Sequence, residues 1–181
     1  MSTPIIFPIQ LVLGYVAWAL ILGAYIWPRL RLIDRIGAHR AIAALHSFRF
    51  FGLVFIVPGV VGPHLPAGFA TFAAYGDFAT GVLALLALAT VRVRLLFWVF
   101  VVAFNLVGTV DILVDYFHGI QYGLPTLAGQ LGGVGYVIVI IYVPLLMITH
   151  GVAFYLLLRP QTRAARAAAG AIAAPEPGST V

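Results

Sequence analysis

The chain has 181 residues, of which 63% are hydrophobic and 8% charged, with a mean hydropathy of +1.10. A water-soluble domain carries about 25% charged residues, so this composition excludes an ordinary soluble fold and points to a single polytopic membrane domain. The lack of cysteine excludes disulfides, thiolate metal sites and thiol redox chemistry. Every basic residue is arginine, which excludes a lysine Schiff base. The net charge of +5 does not imply nucleic acid, because the arginines gather at the ends of apolar stretches rather than in one patch.

Five stretches reach membrane-spanning length, and the pattern predicts an all-α bundle of five transmembrane helices. The first, residues 5–28, contains no ionisable side chain before Arg29 except the tyrosines. No positive charge precedes it and no small-residue cleavage site follows, so it reads as a retained helix rather than a signal peptide. The second is placed at residues 41–62. Its charge-free part is too short to cross about 30 Å of hydrocarbon, so the helix must extend back through Arg49 and His46. The third, at 74–91, takes in Asp77, and the fourth, at 95–116, takes in Asn105, Asp111 and Asp115. The fifth, at 131–158, includes His150 and is expected to tilt or bend at Pro144. Residues 161–181, Ala-rich and then Pro, Gly, Ser and Thr, are expected to form a disordered cytoplasmic tail.

Arginine sets the expected orientation. Arg29, Arg31, Arg35 and Arg40 follow the first stretch, Arg92 and Arg94 separate the third from the fourth, and Arg159, Arg163 and Arg166 follow the fifth. The connections at 63–76 and 117–130 have none. The positive-inside rule then puts the N-terminus outside and the C-terminus in the cytoplasm of a bacterial-type inner membrane. Trp27 and Trp98 fall near one interface and Tyr75, Tyr116 and Tyr122 near the other, as an aromatic belt requires. Gly129 and Gly133 form a GxxxG pair, which reads as ordinary close helix packing.

The ionisable residues inside these stretches are the functional candidates, since each is costly in lipid and needs a partner. At about 1.5 Å rise per residue, His46 lies roughly 9 Å beyond Arg40 and His150 roughly 13 Å before Arg159. With Arg49, one turn from His46, they form an expected inner layer. Asp77 and Asp111 lie roughly 22–26 Å from their flanking arginines, and with Asn105 and Asp115 they form an expected outer layer. Two histidines at one depth on separate helices suit axial ligation of haem b, with Arg49 near a propionate. The same three residues, His46, Arg49 and His150, suit a quinone carbonyl equally, and inter-helix hydrogen bonding is the plainer alternative. Asp111, Asp115 and His118 offer oxygen and imidazole ligands on one helical stripe, but too few converge to define a metal site. No autonomous catalytic motif is present: Ser47 adjoins His46 but points about 100° away from it.

The run Arg49-Phe50-Phe51-Gly52-Leu53-Val54-Phe55, with Gly59, Pro63, the apolar segment 65–75 and a Leu-rich helix from Gly81 to Arg92, resembles the DoxX-like membrane family. The resemblance covers roughly residues 49–111. It implies a four-helix membrane protein and, from members that serve thiosulfate:quinone oxidoreductases, a redox-linked partner facing quinone. The chain departs from that pattern: no lysine follows Gly59, no acidic residue lies in 81–91, and the first stretch is extra. The leading expectation is therefore a membrane subunit for electron transfer that binds haem or quinone between helices, in a homo-oligomer or with other membrane subunits. The alternatives are a small-solute or proton permease with an outer vestibule, and a non-catalytic scaffold subunit.

Overall fold

The computed structural model describes residues 3–30 and 32–159. Arg31, Arg163, Arg166 and the expected tail at 161–181 lie outside the described residues. The described chain is all-α and contains five helices. Helix α1 runs over Thr3–Ile21 and continues through a π-helical turn, Leu22–Ile26, into Trp27–Leu30. Helix α2 is α-helical over Arg35–His46 and 3₁₀ over Ser47–Ile56. Helices α3, Ala67–Ala89, and α4, Arg94–Gln121, are uninterrupted. Helix α5 starts with Leu124–Leu127 and the 3₁₀ turn Ala128–Leu131, then continues as Gly132–Val137, a π turn Ile138–Tyr142, and Val143–Leu158.

Four of these helices, α1, α3, α4 and α5, are long and apolar enough to cross a membrane. Helix α2 is the exception among the five expected spans. It carries Arg35, His39, Arg40, His46 and Arg49, and it changes helical form at His46. Asp34 caps its start, accepting from the backbone N–H groups of Ile36 and Gly37.

The expected loop at 117–130 is largely helical. Helix α4 continues to Gln121, and α5 begins at Leu124 rather than at 131. A glycine and a proline in this segment serve the reversal itself. Gly123 takes a left-handed φ of 65°, and Pro125 sits in the first turn of the new helix, where its missing N–H leaves no bond unmade. A second left-handed glycine, Gly132, with φ 67°, lies against the backbone of Val60, and Gln130 accepts from the N–H of Gly62 and of His64. The 60–64 segment is thereby tied to the start of α5.

Both π turns stand just ahead of a proline. Pro144 has no N–H for the carbonyl of Ile140, and its ring crowds that carbonyl, so the preceding turn widens. Pro28 stands in the same relation to Leu22–Ile26. The widened turn of α5 is also where α1 docks: the Trp18 indole N–H donates to the Ile141 carbonyl at 2.8 Å, and Gly14 lies directly over the Ile140 carbonyl. Helix α1 is otherwise peripheral, with only 6% of its most apolar window buried against 33–39% for the other three long helices.

The apolar core has two parts. One gathers Phe7, Phe55, Phe69, Leu124, Leu131 and Val139; the other gathers Ile42, Ala84, Phe97, Val101, Phe104 and Val152. Along each of α2, α3 and α5, a polar residue separates the part of the helix in one cluster from the part in the other: Arg49, Asp77 and His150. The bundle thus consists of two apolar slabs with a polar slab between them. Because Gly14 has no room for a side chain, Gly14→Leu should weaken α1 docking by about 1–3 kcal/mol, seen as earlier unfolding in detergent and faster proteolysis near residues 22–30.

Candidate functional site

The polar slab is organised by Arg49, which is 1% exposed. Its Nε donates to Asp77 Oδ1 at 2.6 Å and its Nη2 to Asp111 Oδ2 at 2.5 Å. Its Nη1 donates to the Gly108 carbonyl and to His150 Nε2, both at 3.2 Å. One guanidinium on α2 therefore binds α3, α4 and α5 together. Missing side chains make room for this approach. A Cβ on Gly52 would overlap Asp77, one on Gly76 would overlap Asp111, and one on Gly108 would come within 2.6 Å of both Arg49 Nη1 and His150 Nε2. Helix α3 turns Ala70, Ala73, Ala74, Asp77, Gly81, Ala84 and Ala87 inward, and this small-residue stripe lets α2 lie close to it.

The network continues beyond the arginine. Because Arg49 donates to His150 Nε2, that nitrogen is an acceptor, so His150 Nδ1–H donates to Asn105 Oδ1 at 2.9 Å. Asn105 Nδ2 in turn donates to the Val101 carbonyl. On the other side, the Thr149 hydroxyl donates within its own helix to Leu145 and Leu146. His46 Nε2–H must then be the donor in its 3.0 Å contact with Thr149 Oγ1. His150 is neutral in this pattern, and the Nδ1 of His46 is buried with no partner.

The two expected layers are thus one. His46, Arg49, Asp77, Asn105, Asp111 and His150 are all 6% exposed or less and form a single connected cluster. Asn105 and Asp111 are separated by about 9 Å of helix rise, which the arginine and histidine side chains bridge. Depth along a helix is a backbone property and does not register that reach. Asp115, one turn beyond Asp111, is half-buried, makes no ion pair with Arg49, and has a buried Oδ1 without a partner. No group of three or more metal-ligating side chains is assembled among the described residues, so Asp111, Asp115 and His118 do not converge. His118 instead packs among Phe72, Phe117 and Tyr122.

The histidine pair does not fit haem b. The rings of His46 and His150 touch, with centroids 4.1 Å apart and planes inclined by 43°. Two axial ligands of one iron must stand on opposite faces of a macrocycle. Here both Nε2 atoms are engaged, and Phe104 closes over the pair. A quinone carbonyl at the same place would have to displace a carboxylate, a backbone carbonyl or an imidazole from Arg49.

Open space lies instead beside the cluster. A cavity of about 240 Å³ is walled by Phe7 and Leu11 of α1, Phe55 of α2, Phe69 and Asp77 of α3, Asp115 and Tyr116 of α4, and Leu124 and Val139 of α5. Its surface is apolar apart from the two carboxylates and the tyrosine. Tyr116 is held by Tyr15 of α1, with the hydroxyls 2.5 Å apart. No signal in the sequence marked Leu11 or Phe69 as part of a site. The small-residue stripe around Asp77, by contrast, was a readable sign that this carboxylate faces another helix.

Residues 6–158 match a family described as a domain of unknown function, DUF8737. The chain belongs to that family. The match takes in the whole of the 49–111 segment that resembles the DoxX-like proteins, and no match to that family supports the resemblance. No curated protein and no solved structure matches the chain.

Arg49→Met would leave Asp77 and Asp111 facing each other without a counter-charge. Breaking a buried ion pair costs about 3–5 kcal/mol, so the variant should lose much of its resistance to unfolding in mild detergent. Neutralising all three, as Arg49→Met with Asp77→Asn and Asp111→Asn, should restore most of that loss. A triple variant no more stable than the single one would show that Arg49 acts by packing rather than by charge.

Proposed function

We propose that this chain is a multi-pass membrane protein that binds a small molecule inside its helix bundle, in the cavity lined by Asp77 and Asp115. The observation that carries this reading is a partly open apolar cavity lined by two carboxylates in a chain with little other polar surface. Ligand sites have this composition, with mostly apolar walls and a few polar groups that fix orientation. A cavity of roughly 150 Å³ holds benzene, so the 240 Å³ here takes one substituted ring and not a macrocycle.

This is the small-solute reading, with the outer carboxylates as its binding groups and the Arg49 cluster as a rigid floor. The redox-linked reading is accommodated at the same place. A quinol ring in the cavity would lie against Asp77 and Asp115, whereas neither His46 nor His150 lines that space. The lipid bilayer is the environment in both readings, with further copies or other membrane subunits as partners.

For orientation we propose five crossings with the N-terminus outside, supported by arginine clusters that agree at all three proposed cytoplasmic connections. Helix α2 contributes the second crossing through its α-helical and 3₁₀ segments. The absence of native cysteine gives a clean background for labelling. His64→Cys should react with a membrane-impermeant maleimide from outside intact cells and Thr90→Cys only after the cytoplasmic face is exposed; the reverse pattern would invert the assignment.

The cavity itself is tested by filling it. Leu11→Trp, on the peripheral helix α1, should fold and yet remove saturable binding of single-ring probes such as a dimethylhydroquinone, measured by calorimetry on the protein in nanodiscs. Binding that survives Leu11→Trp would place the site elsewhere.

A further inference from the structure

Two carboxylates, Asp77 and Asp115, line this cavity, and Asp111 and Arg49 stand behind them. Asp77 and Asp111 are paired to Arg49, and Asp115 stands one helical turn from Asp111 with no cation of its own. His150 accepts from Arg49 at Nε2 and is therefore neutral, and neither imidazole is ion-paired to a carboxylate among the described residues. The buried oxygens Asp111 Oδ1 and Asp115 Oδ1 both lack partners. If all three carboxylates were ionised, the site would hold excess negative charge in a region of low dielectric, which is strongly unfavourable. Something positive has to complete it: a proton, or a cation that enters the cavity.

The walls indicate what kind of cation. Phe7, Phe55, Phe69 and Tyr116 present aromatic surface around the space. Aromatic faces attract cations without hydrogen-bonding to them, and quaternary or tertiary ammonium groups are the usual beneficiaries. A hydrated metal ion would find few oxygens and no assembled ligand set. The volume admits one ring or a branched ammonium head with a short apolar body.

We infer that the cavity is a site for a small lipophilic ammonium cation, whose charge rests against Asp115 and Asp77 in place of a proton. The inference depends on the cavity being a ligand site, as argued above. As the cation enters, the O–H bond of the Asp115 carboxyl breaks and the proton leaves to water; no other bond changes. Cation and proton therefore compete for one carboxylate. The groups facing Asp115 are Asp111 and His118 on its own helix, Asp77 on α3, Arg49 on α2, and Tyr15 on α1 through Tyr116. Helix α5 presents Leu124, Pro125, Val139 and Val143 to the cavity and no titratable group.

The test uses the full chain in nanodiscs, with empty nanodiscs as the blank, titrated by calorimetry with benzyltrimethylammonium and with neopentylbenzene, its uncharged carbon isostere. The cation should bind saturably, release about one proton, and tighten as pH rises, by at most about tenfold per pH unit for one displaced proton. Asp115→Asn should weaken it at least tenfold and remove the pH dependence, while leaving any binding of the uncharged isostere unchanged. Should that variant not fold, proton release and pH dependence in the wild-type chain decide the matter alone. Equal binding of the isostere, or cation binding without proton release, overturns the charge assignment. If a neutral ring still binds and Leu11→Trp removes it, the ligand cavity itself stands; if neither charged nor neutral rings bind, both readings fall.

Discussion

One ion-pair cluster sets the architecture of this bundle. Arg49 lies between two apolar slabs, bonded to Asp77 on one helix, to Asp111 and the Gly108 carbonyl on a second, and to His150 on a third. In hydrocarbon there is little hydrophobic drive to bring helices together, so association rests on close packing and on polar groups that have no better partner. A buried guanidinium is an exacting version of that requirement. Its planar fork satisfies carboxylates in fixed directions, so α2, α3, α4 and α5 can each approach it only in one register.

The backbone departures serve that approach. Glycines 52, 76 and 108 bring the helices near enough for the network to close, since a side chain at any of them would occupy the position of a network atom. The 3₁₀ stretch of α2 lies along the small-residue face of α3, where Gly81 admits the backbone at Arg49 and Phe50. The prolines act further out. Pro144 widens a turn of α5, and that turn receives Gly14 and Trp18 of α1. A peripheral helix is thereby attached through a few specific contacts and closes one side of the cavity.

Charge and space then meet at a single place. Among the described residues the slab anchors its carboxylates on one arginine, and Asp77 and Asp115 line the cavity beside it. A scaffold alone would need the Arg49 network; it would not need a ring-sized apolar chamber beside it. The chamber is the feature on which the proposed ligand binding rests, and its lining carries carboxylates rather than imidazoles.

Composition alone pointed to a membrane, because 8% charge is little to cover a water-facing surface, and four helices are long and apolar enough to cross one. The sequence also named nearly every member of the buried cluster, since an ionisable residue within an apolar stretch is conspicuous whatever the fold. It did not reveal that His46, Arg49 and His150 share a cluster with Asp77, Asn105 and Asp111. Counting residues gives the height of a Cα along its helix, but not which way the helix faces or how far an arginine side chain reaches. Nor did it show the change of helical form at His46, the helical turns after Gly123, or the cavity, because each arises from how neighbouring helices pack. Only the tertiary structure turned two separate depths into one site, by bringing four helices within the reach of one guanidinium.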